Sequence, residues 1–253
     1  MKLPPAPASS LVFHNAPGST IPQEFALAAR RNPDDIATMA ETPSETKALQ
    51  KEALARQYVL IVDRSGSMAS RDGNGTRWDS AKLAVEKIIE TVFKYDVDHS
   101  VPVYLFDDQI EFVGECTNVG QVTQIFQAYK PRGTTDLAKV LEVAMEEYSG
   151  VKRPNFAVVP GVTYITLLDG GADDEAAVRR VIQKYADPKN GFIQNHTQIA
   201  ISFVQIGDDA GATRFLKDLD DNLPPIDVID TLKDDVIWTP GGIDKLLHDA
   251  IFD

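Results

Sequence analysis

The chain has one cysteine, Cys116, in 253 residues. That excludes an internal disulfide and with it the small stapled secreted domains. Cations are scarce too: 25 Lys and Arg face 38 Asp and Glu, for a formal net charge of -13 and a sequence pI of 4.7. A field of that sign repels polyphosphate and anionic lipid, so neither nucleic acid nor a membrane surface is an expected partner. No apolar run approaches the ~18 residues needed to span a bilayer. The opening MKLPPAPASS carries prolines where a secretory leader needs a basic head and an apolar stretch. The expectation is a cytoplasmic protein in a reducing compartment, in which Asn74-Gly75-Thr76 and Asn195-His196-Thr197 match the glycosylation sequon by chance. What the chain does have is an ordinary globular balance, 43% hydrophobic and 25% charged, which argues against wholesale disorder or a fibrous repeat.

Proline is unevenly spread. Seven of the 15 prolines stand at positions 4, 5, 7, 17, 22, 33 and 43, and proline at that density favours extended backbone. Residues 1–56 are therefore read as an N-terminal extension, with short helices possible at 25–31 and 44–56, and residues 57–253 as one domain. From Gln57 the pattern changes to short β-branched runs that alternate with segments of helical period. The strands expected are 58–62, 101–106, 110–114, 162–168, 199–206 and 226–230. Helices follow from apolar stripes: Trp78, Ala81, Val85, Ile88 and Val92; Leu137, Val140, Leu141, Ala144, Met145 and Tyr148; Val178, Val181, Ile182 and Tyr185. Thr76 with Asp79 predicts a capping box, and Thr239-Pro240 predicts the start of a last helix carrying Ile243, Leu246, Leu247 and Ile251. Such alternation predicts an α/β fold: a doubly wound, mostly parallel sheet flanked by helices.

In sheets of this kind ligands sit at the carboxyl ends of the strands. Three loops there carry oxygen donors: Asp63-Arg64-Ser65-Gly66-Ser67 after the first strand, Gly133-Thr134-Thr135-Asp136 before the Leu137 helix, and Asp169-Gly170-Gly171 after the 162–168 strand. Carboxylates and hydroxyls together suit a hard cation such as Mg²⁺. Asp63, Ser65 and Ser67 are two apart, so a loop curling over the strand end can turn all three toward one point, with Gly66 relieving the bend. Two carboxylates only just neutralise a divalent ion, because hydroxyls add no charge. An ion so held stays electrophilic, and a position left to water can accept a carboxylate from outside.

These residues resemble the von Willebrand factor type A (VWA) domains with a metal-ion-dependent adhesion site, and in particular the bacterial-type intracellular single-domain members. DRSGSM at 63–68 is similar to the family's Asp-x-Ser-x-Ser motif, GTT at 133–135 to its threonine loop, and LLDGG at 167–171 to its later aspartate. The resemblance covers roughly 57–253 and implies a Rossmann-like VWA fold with metal-binding roles for Asp63, Ser65, Ser67, Thr135 and Asp169. Asp136 would support them from behind. It implies Mg²⁺, with Mn²⁺ or Ca²⁺ as substitutes, and a protein partner that supplies an Asp or Glu. Intracellular relatives that work beside ATPases or in tellurite-resistance gene neighbourhoods suggest an assembly adapter. The chain departs from the pattern at SRDGNG, 70–75, an insertion beside the site.

Other chemistries find less support. A phosphatase-like metal-dependent hydrolase would use Asp63 as nucleophile, but the haloacid-dehalogenase pattern wants a second Asp where this chain has Ser65. Ser67 lacks the Gly-x-Ser-x-Gly elbow, and neither a dinucleotide-binding glycine motif nor a Walker sequence is present. Asp72-Gly73-Asn74-Gly75 begins like a calcium loop, yet Arg77 and Trp78 break the spacing, which leaves a turn. His14, His99, His196 and His248 show no paired ligand spacing. Asp107-Asp108 and Asp220-Asp221 read as solvated turn charges, Trp78 and Trp238 as packing residues, and Cys116 as a packed thiol. The expected function is a Mg²⁺-dependent protein-docking module, not an enzyme.

Overall fold

The computed structural model describes residues 54–73, 75–152, 161–194, 196–224 and 227–252. The helices expected at 25–31 and over most of 44–56 lie outside the described residues; of the extension only residues 54–56 are seen. Among the described residues, a six-stranded sheet is built from β1 (Gln57–Asp63), β2 (Val101–Phe106), β3 (Ile110–Cys116), β4 (Val162–Leu168), β5 (Ile199–Gln205) and β6 (Ile229–Lys233). The spatial order is β3-β2-β1-β4-β5-β6, with only β3 antiparallel to its neighbour. β1 pairs in parallel with β2 on one side and β4 on the other. The order therefore reverses at β1 and β4, where an open α/β sheet leaves a crevice above its strand ends.

Both faces of the sheet are covered, which is why its strands read as continuous apolar runs rather than as alternation. Tyr58, Leu60 and Val62 of β1 join α1 (Arg77–Val92), α2 (Val119–Ala128) and α6 (Gly242–Phe252) on one face. Val59 and Ile61 join α3 (Leu137–Lys152), α4 (Glu175–Ala186) and α5 (Ala210–Asn222) on the other. Each side chain so buried stabilises the fold by roughly 1.5–3 kcal/mol relative to exposure. Leu54 belongs to the first cluster, so the packed region begins a few residues before β1.

The capping box forms as expected: the Asp79 N–H donates to Thr76 Oγ1 and the Thr76 N–H to Asp79 Oδ2. Beside the site Arg71–Asp72 pairs antiparallel with Gly75–Thr76. Two expectations change. The last strand is Ile229–Lys233, not 226–230. As an edge strand pairing only with β5, it takes its position from that register and not from an apolar pattern. Pro240 does not open the last helix; a 3₁₀ turn occupies Asp234–Trp238 and α6 starts at Gly242. A side chain at Gly242 would strike the Val236 carbonyl, so the helix can begin there only on glycine. Helices α2 and α5, for which no apolar stripe was identified, carry side-chain caps at Asn118 and Asp209.

Candidate functional site

Asp63 is the last residue of β1 and is fully buried. Val62 is level with Leu167 of β4, so Asp63 and Asp169 leave adjacent strand ends side by side. The chain then turns through a short 3₁₀ segment, Gly66–Ala69. The Ser65 N–H donates to Asp63 Oδ1 at 2.6 Å. Ser65 Oγ lies 2.9 Å from Ser67 Oγ, and Ser67 Oγ donates to Asp169 Oδ1 at 2.8 Å. Four of the expected residues thus form one connected group. Gly66 is not among the glycines with positive φ; its contribution is its N–H, which donates to the Gly133 carbonyl at 3.1 Å and ties the serine turn to the threonine loop.

Thr135 stands on that second loop, buried while Thr134 is exposed. Its N–H donates to Asp173 Oδ2 at 3.0 Å, and its carbonyl accepts from the Asp173 N–H at 3.0 Å. Among the described residues no hydrogen bond joins the Thr135 hydroxyl to the other four. Asp136 does not back the site as expected. Its Oδ1 instead accepts the Lys139 N–H at the start of α3. The support comes from Asp173, in the loop that follows Asp169.

Two further residues escaped the sequence reading. Asp107 is not a solvated turn charge but fully buried. Its Oδ2 accepts from Arg64 Nε at 3.0 Å and from Arg132 Nε at 2.9 Å. Arg64, itself buried, also pairs with Glu111. The brace connects the turn after β1, the end of β2 and the threonine loop. It was findable, because Asp107 follows an apolar strand just as Asp63 does. Arg77 is the second. Its Nη1 lies 2.8 Å from Asp169 Oδ2, and the signal was a cation in the first turn of a helix, where the macrodipole disfavours it. Among the remaining expectations, Asp220 lies in α5 and accepts from Thr231 Oγ1, Trp238 is 54% exposed, and Trp78 and Cys116 are buried.

The electrostatics are those of a centre short of positive charge. Burial pushes the Asp63 carboxyl up to about 7, against the Ser65 hydrogen bonds, and Asp169 acts both ways, its charge raising the value and its backbone N–H lowering it. Among the described residues Asp63 Oδ2 has no hydrogen-bond partner. A buried carboxylate oxygen in that condition is costly unless a proton or a cation meets it. Among the described residues no three His, Cys, Asp or Glu side chains converge, so hydroxyls would have to complete any ligand set. Ser65 and Ser67 stand where they would do so. The donors fit a hard divalent ion.

A mostly parallel α/β sheet with an oxygen-lined group above its switch point defines the class: a doubly wound α/β domain. Residues 58–162 match the family model of the von Willebrand factor type A domain. The matched span includes Asp63, Ser65, Ser67 and Thr135 and stops before Asp169. The VWA domain of SpRpn10 superposes with a TM-score of 0.51 at 14% identity, covering 78% of this chain and 94% of that one. An aerotolerance-related membrane protein from Bacteroides fragilis gives a TM-score of 0.43 at 16% identity, over 62% of this chain and 70% of that one. Three N-terminal domains of the pilus tip protein Mfa5 from Porphyromonas gingivalis give 0.37 at 16% identity, over 46% and 20%. No curated protein matches the chain.

Proposed function

We propose that the domain is a divalent-cation-dependent docking module that binds an Asp or Glu side chain of a protein partner. The observation that carries this reading is the buried Asp63 Oδ2, left without a partner beside two serine hydroxyls and a second buried carboxylate. Asp63, Ser65 and Ser67 would hold the ion, with Asp169 and Thr135 completing the set directly or through water, and Mg²⁺ is the ion the oxygen donors favour. A bound ion would supply the electrophile that an outside carboxylate meets.

The chain's own residues do the rest. Asp63 anchors the turn through its bond from the Ser65 N–H. The Gly66–Gly133 bond and the Asp107 brace hold the two loops in register. Binding is favoured over catalysis because, among the described residues, no histidine stands in this group: His99 precedes β2 at the opposite edge of the sheet, and His248 lies on α6 beside Asp249. Calorimetry tests the reading. Wild type should bind one Mg²⁺ or Mn²⁺ and Asp63→Ala none, and a partner captured from lysate should be released by EDTA. Unchanged metal binding in Asp63→Ala would sink the assignment, and metal-dependent turnover of a phosphoester abolished by the same change would make the protein an enzyme.

A further inference from the structure

The Arg77 guanidinium occupies Asp169 Oδ2 at 2.8 Å while Ser67 occupies Oδ1 at 2.8 Å. Both oxygens of this buried carboxylate are therefore engaged by the chain itself. We propose that Arg77 is a resident counter-cation that competes with a divalent ion for Asp169 and so sets how tightly the ion is held. The inference rests on the docking reading above and adds to it the residue that tunes the site.

Three features support a specific placement. Arg77 is the first residue of α1, directly after the Thr76 cap. A cation there works against the helix dipole and gains only from a particular partner. Gly207, after β5, has φ +74°, and a Cβ at that position would lie 3.1 Å from Arg77 Nε. Glycine leaves open the lane along which the arginine reaches Asp169. The side chain is 22% exposed, so the guanidinium can turn outward without opening the core. Asp208, already paired with Lys233 at 2.6 Å, is held below the usual carboxylate range first by that lysine and to a lesser degree by Arg77.

The consequence follows from charge. A divalent ion joining Asp169 directly or through one water stands within a few ångströms of the guanidinium, where the effective dielectric is far below that of water and like charges repel strongly. The ion must displace Arg77 or bind more weakly beside it. An incoming acidic side chain would attract both cations, so ion and partner should each strengthen the other's binding.

The experiment titrates Mg²⁺ and Mn²⁺ alone into the full chain by calorimetry, comparing wild type, Arg77→Gln and Arg77→Lys. Arg77→Gln should bind about tenfold more tightly than wild type or better, a gain of about 1.4 kcal/mol or more, with Arg77→Lys between them. A purely structural arginine predicts the opposite, since its loss would loosen the site. Melting in EDTA gives a second readout. Arg77→Gln should melt below wild type, because Asp169 loses its counter-charge, and Mn²⁺ should raise its melting temperature by more than that of wild type. Adding Asp63→Ala to Arg77→Gln should erase the gained affinity. A silent wild type with binding in Arg77→Gln would support the competition and overturn the expectation that wild type itself binds one ion. If wild type binds and Arg77→Gln binds equally or more weakly, the proposal fails while the docking reading stands. If neither binds, or if binding survives Asp63→Ala, both fail. Should Arg77→Gln not fold, the order of wild type and Arg77→Lys decides in the same sense.

Discussion

Asp107 and Arg64 are both almost wholly shielded from water, with 0% and 3% of their side chains exposed. Removing one partner of such a pair leaves a charge buried alone, which is far costlier than losing a surface bridge. Asp107→Ala should therefore destabilise the protein by about 3 kcal/mol in urea unfolding. Arg132→Ala, whose side chain is 56% exposed, should cost less than about 1 kcal/mol. Equal effects would show that the brace is not centred on Arg64. Asp96 gives a pH prediction away from the site. It is buried and accepts the N–H groups of Tyr58 and Ser100. Burial, with the Asp98 charge next, pushes its carboxyl well above the usual range. A folded-state value above the unfolded one stabilises at low pH and loses that stability as pH rises through the folded value. Wild type should thus weaken between mildly acidic and alkaline pH relative to Asp96→Asn, which mimics the neutral form. Parallel unfolding curves for the two proteins across that window would remove the effect.

At the scale of elements, the loops matter through what anchors them. Helix α1 begins with a complete capping box, and Thr76→Ala should cost about 1 kcal/mol of stability. Because Arg77 follows immediately, the same change should also alter metal affinity, which separates it from a cap elsewhere such as Asn118. The threonine loop depends on Gly133, whose φ is +69° and where a side chain would collide with the Asp108 carboxylate. Gly133→Ala should weaken metal binding while leaving far-UV circular dichroism unchanged, since the loop rides above the sheet and not within it. A loss of helical signal in that variant would mean the loop is part of the folding core.

For the whole molecule the net charge of -13 stands against the acidic residue that the proposed centre is built to accept. The conflict is one of range. Diffuse surface charge is screened over about 8 Å at physiological salt, whereas a bound ion acts in contact at about 2 Å. The expected partner presents one exposed Asp or Glu in an otherwise neutral or basic surround. Salt should act mainly on its association rate, and EDTA should abolish the complex. Replacing every exposed acidic residue of an identified partner without loss of affinity would show that the ion is not the docking point.

How far the chain could be read before folding follows from how local each signal is. The sheet class, the buried runs 101–106 and 162–168, and the Thr76 cap were legible because burial on both faces and capping chemistry leave their mark within a few consecutive residues. The edge strand β6 was misplaced because its register comes from pairing with β5, a contact that leaves no pattern in its own residues. Asp63, Ser65 and Ser67 could be grouped from spacing alone. The contact of Ser67 with Asp169 spans 102 positions, the Asp107 brace joins three loops, and Arg77 reaches Asp169 across 92. The donor types and their strand ends were thus determined by the sequence itself. Which buried oxygen is left unpaired, and which cation already stands beside its neighbour, was decided only when the strand order brought β1 and β4 together.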